Sequence, residues 1–390
     1  VLDLLARADL SHPDSLGDAL AAHVRCLNTP RPRADLTLVA HVESDVRADP
    51  AAHIRFDPSG LATVDAAGRT FKAGRFETPR LGALLRRAEA AKAERGGAGG
   101  SLRLFVLQGA SAATDIGALQ ATAPRGSLFQ VASQFNCLEA PSPTVTDIAS
   151  YLRDPTQGPR ASISAFPGTF VRHYAAPAAD GTRFVQGARG RQVNLLEELC
   201  ADGAARVTSG YLTTDNIPRP TEFARALEDR FEDIHAGLHD DVEVVFGHDW
   251  DGPVPGAPDT TIAHALCSTV AAGAYSQIDG ADPAIQTILR QLQRAAYLGA
   301  LASAAALGKA FAVLTLIGGG VFGNPVDVIW DAILWAIDAV RPLLHRDLCV
   351  VVNGYRVGEH VSSARLAAEA TARGGALITF DRTGVSVVQG

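Results

Sequence analysis

One stretch constrains this chain more than any other: a run of strand character that feeds a glycine-rich turn straight into an apolar helix. FAVLTLI (311–317), GGGVFGNP (318–325) and VDVIWDAILWAIDAV (326–340) follow one another without a break. In the last of these Asp327, Asp331 and Asp338 share one side, which leaves the tryptophans and isoleucines to pack. LCVVVN (348–353), a helical pattern around 362–373 and ALITF (376–380) continue the alternation. The order predicts an α/β fold with a mixed, mostly parallel sheet covered by helices on both faces.

Upstream the pattern changes. Residues 1–35 carry a short helical pattern and the proline-rich TPRPR, and then LTLVAHV (36–42), HIRFD (53–57) and LATVD (61–65) predict a small antiparallel meander. Leu81 to Arg95 has helical spacing, and GGAGGS (96–101) is the best internal hinge. The expected organisation is an N-terminal α+β extension over residues 1–100 and a second domain over residues 101–390. Within the second part LRLFVLQG and FQVASQFN predict buried strands, residues 138–194 a substrate-facing loop region, Phe223 to Ile234 a helix, VEVVF (242–246) a strand and residues 284–308 one long helix stopped by Gly308.

Charge and cysteine usage exclude several classes. With 35 basic against 42 acidic residues the net charge is −7, which argues against the broad cationic surface that nucleic acid requires. The apolar stretch from Ala310 to Val326 is interrupted by glycines and Pro325, so no membrane span is expected. The N-terminal VLDLLARADL lacks the pattern of a secretory signal, and a cytosolic protein is expected. Cys26, Cys137, Cys200, Cys267 and Cys349 are scattered and odd in number, so they predict reduced thiols, with no metal site and no cofactor.

Three segments can carry chemistry. The glycine-rich turn 318–325 exposes backbone N–H groups before a helix, where a phosphate can sit, although a tight structural turn uses the same residues. It is no Walker loop, and the strand that follows ends in Asn353 without the acidic residue of a dinucleotide fold. In FQVASQFNCLE (129–139) a buried strand ends at Asn136, a residue type that can reach ligand hydroxyls from a strand end, and DPTQGPRASISAFPGTF (154–170) offers Gln157 and Gly158 as a loop over the ligand. In VEVVFGHDWDG, His248, Asp249 and Asp251 follow a predicted strand, with Asp240, Asp241 and Asp259 nearby, and clustered carboxylates can hold one another's pKa apart. A solvated acidic loop is the plainer alternative.

LTLIGGGVFGNP before a helix, with FQVASQFNCLE upstream, resembles the macrodomain superfamily of ADP-ribose-binding and ADP-ribose-hydrolysing proteins. The resemblance spans roughly residues 101–355 and implies a three-layer macrodomain-like fold. Asn136 stands at the last position of the family's Asn-Ala-Ala-Asn motif, with Ser133, Gln134 and Phe135 before it. Gly318, Gly319, Gly320, Val321, Phe322, Gly323, Asn324 and Pro325 correspond to the loop that wraps the diphosphate, with Phe322 against the distal ribose. Thr114-Asp115-Ile116 is the candidate for the adenine motif, through Asp115. ALCSTVAAGAYS (265–276) and the helix ending at Gly308 look more like the branch that includes effector-type hydrolases of ADP-ribosylated ubiquitin.

The resemblance implies an ADP-ribosylhydrolase that removes ADP-ribose from a modified protein, with arginine as the linkage and ubiquitin as a candidate carrier. Breaking a ribosyl C1–N bond builds oxocarbenium-like charge, so one carboxylate can stabilise it while another positions water. Asp249 and Asp251 are the expected pair, with Asp241 and Asp259 as alternates. The rival readings are a module that binds ADP-ribose without cleaving it and a metal-dependent nucleotide-sugar or phosphoester enzyme.

Overall fold

Alternating side chains on the central strands divide between two apolar cores, so the sheet is buried from both sides. The structure, a computed structural model, describes residues 1–390 apart from Ala98, Arg189, His248, residues 250–259 and Thr383. Among the described residues the strands are β1 (Ile54–Phe56), β2 (Ala62–Ala66), β3 (Arg69–Glu77), β4 (Leu102–Gln108), β5 (Leu128–Ala132), β6 (Ala176–Pro177), β7 (Arg183–Phe184), β8 (Gly237–Glu243), β9 (Thr261–Cys267), β10 (Phe311–Thr315), β11 (Leu348–Asn353), β12 (Ala376–Phe380) and β13 (Val385–Val388). Eleven of them form one sheet in the order β1-β2-β3-β8-β9-β5-β10-β11-β4-β12-β13, and β6 and β7 make a separate ribbon.

The block β9-β5-β10-β11-β4-β12 is parallel throughout. β8, β3, β2 and β1 extend it antiparallel on one side and β13 does so on the other. On one face Leu104, Val106, Leu314 and Val350 pack under the helices Pro283–Ala306, Val326–Val340 and Ser363–Thr371. On the other, Phe105, Phe129, Val131 and Val351 pack under the helices Pro13–Leu27, Thr37–Ala48, Ile116–Ala121, Gln157–Ser164 and Phe166–Tyr174. The fold is therefore a three-layer α/β sandwich with a mixed, mostly parallel sheet. Residues 1–100 add β1–β3 to that same sheet through the β3–β8 pairing. No helix of the described residues is long and apolar enough to cross a membrane.

The helix Val326–Val340 shows how pattern becomes structure. Ile329, Trp330, Ile333, Ile337 and Val340 are completely buried while Asp327, Asp331 and Asp338 are exposed. Each aliphatic or aromatic side chain so buried contributes about 1.5–3 kcal/mol against leaving it in water.

Three expectations are corrected. LTLVAHV (36–42) is not a strand but leads into the helix Thr37–Ala48. Val39, Val42 and Val46 lie on its buried face, and buried Glu43 accepts hydrogen bonds from Ile148 N (2.6 Å), Ala149 N (2.8 Å) and Tyr174 Oη (2.8 Å). Those tertiary bonds override the β-propensity of the valines. Residues 154–170 are no loop, because the helices Gln157–Ser164 and Phe166–Tyr174 occupy most of the segment and bury Phe166 and Phe170. VEVVF (242–246) overlaps β8 only at Val242 and Glu243, after which Val245 N and Phe246 N leave the sheet to reach Ser164 O.

Candidate functional site

At the carboxyl ends of the parallel block two neighbouring strands part. β5 and β10 pair only through Leu128 and Phe129 against Ala312 and Val313. Beyond that register their backbone groups are met by side-chain amides. Gln130 Oε1 accepts from Thr315 N (3.2 Å), Gln157 Oε1 accepts from Ala132 N (3.2 Å), and Gln157 Nε2 donates to Gln130 O (3.4 Å). A fully buried glutamine such as Gln130 is tolerable only because both ends of its amide are engaged, the other end donating to Ala296 O at 3.1 Å. A parting between adjacent strands at their carboxyl ends is where α/β sheets make room for ligands.

The glycine loop leaves β10 beside this parting. Tyr297 Oη, from the long helix, donates to Thr315 O (2.7 Å) and accepts from Ile317 N (3.0 Å), which ends the strand. Asn324 N returns to Gly318 O (2.9 Å), and buried Asn324 donates through Nδ2 to Val270 O (2.9 Å) and Phe322 O (3.1 Å). Its Oδ1 accepts from Thr269 Oγ1 (3.1 Å) and Gln293 Nε2 (3.3 Å). Gly318 has φ 76°, and a Cβ there would stand 2.5 Å from Thr269 Cγ2. Within the closed loop Gly319 N and Gly323 N are bonded to Leu316 O and Gly320 O. The amides of Gly318, Gly320, Val321 and Phe322 have no acceptor among the described residues. These four N–H groups, within five residues of an exposed to half-exposed loop, are open to an acceptor from outside the chain.

Aromatic rings wall the loop. Phe322 lies 5.7 Å from Tyr211 and 5.4 Å from Tyr275, ring centre to ring centre. Tyr211 Oη donates to Ala140 O and Tyr275 Oη to Pro141 O (3.0 Å), which ties the wall to the turn after β5.

That turn contains the asparagine motif. Asn136 is 1% exposed; its Nδ2 donates to Gln192 Oε1 (3.0 Å) and its Oδ1 accepts from Leu138 N (3.1 Å). The side chain thus holds the turn together from inside. Cys137 adopts φ 61°, and its carbonyl accepts from Arg172 Nε at 3.1 Å. Arg172 is completely buried, with Nη2 donating to Thr169 Oγ1 (2.9 Å) and Nη1 against His239 Nδ1 (3.2 Å), and burial lowers its pKa to about 10. Gln134, 3% exposed, donates to Glu139 Oε2 (3.1 Å), while its Oε1 is buried without a partner. Glu139 is itself 7% exposed, and burial raises its carboxyl well above the usual range; the hydrogen bond from Gln134 acts against this and the charge of Asp154 adds to it.

The remaining expected residues divide. Asp115 caps the helix Ile116–Ala121 through Ala118 N (2.9 Å) and forms an ion pair with Arg160, whose guanidinium also reaches Asp249 at 3.1 Å. Asp249 has φ 45° and pairs with Arg33 at 3.3 Å. Asp241 stands apart from Asp249. It lies in the bulge of β8 and accepts from Thr261 Oγ1 (2.6 Å) at the amino end of β9, beside Arg125, Arg75 and the ion pair of Lys309 with Asp240 (2.6 Å) in a cavity of about 480 Å³. β8 runs antiparallel to β9, so the chain reaches Asp241 at the opposite end of the strands from the glycine loop, ~20 Å away along β9. Asp251, Asp259 and His248 lie outside the described residues. Among the described residues no group of three or more His, Cys, Asp or Glu side chains could hold a metal ion.

No protein-family model matches the chain, and no curated protein does. Among solved structures it is similar to a point mutant of poly(ADP-ribose) glycohydrolase from Deinococcus radiodurans in complex with ADP-ribose, at 15% identity over 74% of this chain and 94% of that chain, with a TM-score of 0.42. It is similar to the unsubstituted enzyme of the same organism with ADP-ribose at 16% identity over 72% and 87% of the two chains, TM-score 0.40. Poly(ADP-ribose) glycohydrolase from Thermomonospora curvata matches at 15% identity over 86% and 99%, TM-score 0.37.

Sequence reasoning did not select Glu139, Tyr211, Tyr275 or Gln293 as site residues. For Glu139 a signal existed, since it is the one charged residue in the run from Ser127 to Ile148 apart from Asp147. The tyrosines carry no such mark, because their place follows from the bridge of Leu212 to Val270 and the bond from Ala271 N to Leu212 O (2.8 Å).

Proposed function

We propose that this protein binds ADP-ribose in the crevice between β5 and β10 and hydrolyses the glycosidic bond that joins it to a modified protein, with arginine as the linkage and ubiquitin as a candidate carrier. The observation that carries the reading is the set of four amides in Gly318–Phe322 without acceptors, at the carboxyl end of the parallel block and beside an aromatic wall. A diphosphate supplies the acceptors they lack, and Phe322 and Tyr275 offer faces to a sugar. The motif resemblance over residues 129–139 and 314–325 points to the same ligand. Asp115 is the candidate at the adenine end, and Gln134 and Gln157 are candidates near the distal ribose.

Arginine fits as the leaving group because Asp249 already accepts an exposed guanidinium, that of Arg33. In this reading Asp249 and Asp251 carry the cleavage, and loss of turnover in Asp249→Asn with Asp251→Asn is expected. The direct test is release of free ADP-ribose from arginine-, serine- and glutamate-linked ADP-ribosyl proteins, beside calorimetric binding of ADP-ribose. Release from the arginine-linked substrate alone is expected. Binding without release from any substrate would make the protein a reader, and no binding would remove the crevice from consideration.

A further inference from the structure

We propose that the cavity bounded by the helix Thr37–Ala48, the end of the helix Phe166–Tyr174 and residues 185–188 is a second binding site, for a neutral planar heterocycle of nucleobase size, and that its occupancy strengthens the hold on ADP-ribose; only the coupling rests on the reading above. The cavity has a volume of about 340 Å³ and shares no residue with the glycine loop or with β5 and the turn after it. That volume stands at the lower end for ligand sites and suits a single ring system.

His173 is the sign of a ligand. It lines the cavity, is 5% exposed, and its Nδ1 is buried with no hydrogen-bond partner among the described residues. A buried nitrogen left open is what the polar edge of a guest would satisfy. The ring stacks on Tyr174 at 4.3 Å and 9°, and Tyr174 is fixed in turn by its hydrogen bond to buried Glu43 (2.8 Å). The back of the cavity is therefore built before any guest arrives. Burial lowers the pKa of His173 to about 4, so the imidazole is neutral at pH 7 and meets a donor or an acceptor according to its tautomer. Charge at the mouth points the same way. Arg47 and Asp147, both half exposed, already pair at 2.9 Å, so a charged guest would have to part them and a neutral one need not. Pro50, Val145 and Val185 supply apolar contact for the faces of a ring. Val185 is 47% exposed, which for a side chain of its kind marks a surface with something to receive.

The rim of the cavity is tied to the turn after β5. Buried Gln186 donates through Nε2 to Asn136 O (3.0 Å) and Arg172 O (2.9 Å), and its Oε1 accepts from Val193 N (2.8 Å). Gly187 O accepts from Gln192 Nε2 (3.0 Å), and Gln192 Oε1 accepts from Asn136 Nδ2 (3.0 Å). The amides of Gly187 and Ala188 have no acceptor among the described residues, so this segment rests on its two glutamines. A guest against Gln186 and Gly187 thus steadies the segment that holds both the main chain and the side chain of Asn136. Two sites that steady the same element raise one another's affinity by the same factor.

The test titrates adenine, cytosine, benzoate and benzylamine at neutral pH, by calorimetry and ligand-observed NMR, into the unsubstituted protein, His173→Phe and Val185→Trp. Both bases are expected to bind, and the anion and the cation are not. His173→Phe keeps the stack and removes the nitrogen, and Val185→Trp fills the rim at an exposed position that the fold tolerates. Each should weaken the bases about fivefold or more. With cytosine saturating, ADP-ribose affinity should rise about fivefold or more. Binding of neither base, preference for benzoate or benzylamine, displacement of the bases by ADP-ribose, or base affinity unchanged in both variants would overturn the site. Cytosine binding that leaves ADP-ribose affinity unchanged or lower would overturn the coupling. A protein that binds the bases at this cavity but not ADP-ribose would overturn the proposed function, and the coupling with it, and leave the site standing.

Discussion

Gly273 and Gly323 lie back to back: a Cβ on Gly323 would stand 3.0 Å from Gly273 Cα, and one on Gly273 would stand 2.6 Å from Val321 O. Both have positive φ, 58° and 61°, and Ala272 N donates to Phe322 O at 3.2 Å beside them. The segment after β9 thus presses the anion-binding loop into shape from the side, and only residues without side chains allow that approach.

Gly273→Ala should therefore cost about 1–3 kcal/mol through left-handed strain and the contact with Val321 O. ADP-ribose affinity should fall with it, because the loop must shift to admit the methyl group. Urea denaturation and calorimetric titration check this, and an unchanged affinity would show that the shape of the loop is set elsewhere.

Gly320→Glu separates site from scaffold. A Cβ at Gly320 meets nothing within 4 Å, so the fold should tolerate the change with the melting temperature unmoved. The new carboxylate would stand among the open amides and compete with a diphosphate for them. ADP-ribose affinity is expected to drop at least tenfold, equivalent to about 1.4 kcal/mol; retained affinity in a folded variant would remove the loop from the binding site.

Acid should destabilise the fold in a window set by buried histidines. Burial lowers His173 to about 4 and holds His239 and His264 well below the ordinary 6.5, the last two with the charge of Arg172 acting in the same direction. These groups are neutral in the folded chain and take up protons on unfolding. Their contribution is complete above pH 6.5 and is lost as pH falls from there toward 4. The slope reaches up to about 1.4 kcal/mol per pH unit for each histidine. Urea midpoints at pH 8, 6 and 5 measure it, and a flat profile would contradict the burial of these rings.

Glu139 carries the opposite sign. Burial raises its folded pKa above the ordinary 4.5, so the stability it contributes is present below pH 4.5 and is lost as pH rises through the folded value. Glu139→Gln should accordingly be more stable than the parent protein at pH 8 and no more stable near pH 4. Thermal melts at the two pH values test this, and a variant less stable at pH 8 would mean that the carboxylate, not the acid, is the form the fold accommodates.

How much of this was legible in the sequence depends on distance along the chain. The helix 326–340 and the strands 348–353 and 376–380 match their patterns end to end, because each is decided by its own apolar spacing. The helix Thr37–Ala48 was hidden by three valines whose partners lie elsewhere in the fold, and Glu43, the residue that fixes it, bonds a segment more than 100 positions away. The glycine loop was legible as a motif, but the parting of β5 from β10 was not, since Gln130 and Gln157 come together only when the sheet and the helix Gln157–Ser164 are both in place. Asp241 stands apart from Asp249 for a topological reason. Nearness in sequence put Asp241 with Asp249, whereas the antiparallel run of β8 delivers Asp241 to the amino end of β9 and the chain then travels back along Ser164 to Arg160.

Arg172 gives the crevice a property that surface charge could not. Its guanidinium is sealed from solvent, carries its proton at neutral pH and has no carboxylate in ion-pair contact among the described residues. Mobile ions that screen exposed arginines within a Debye length of about 8–10 Å cannot reach it. Its three hydrogen bonds, to Cys137 O, Thr169 Oγ1 and His239 Nδ1, spread that charge into the turn that carries Asn136 and Glu139. The charge that Arg172 brings to the turn after β5 is consequently less open to screening by added salt than that of an exposed basic patch.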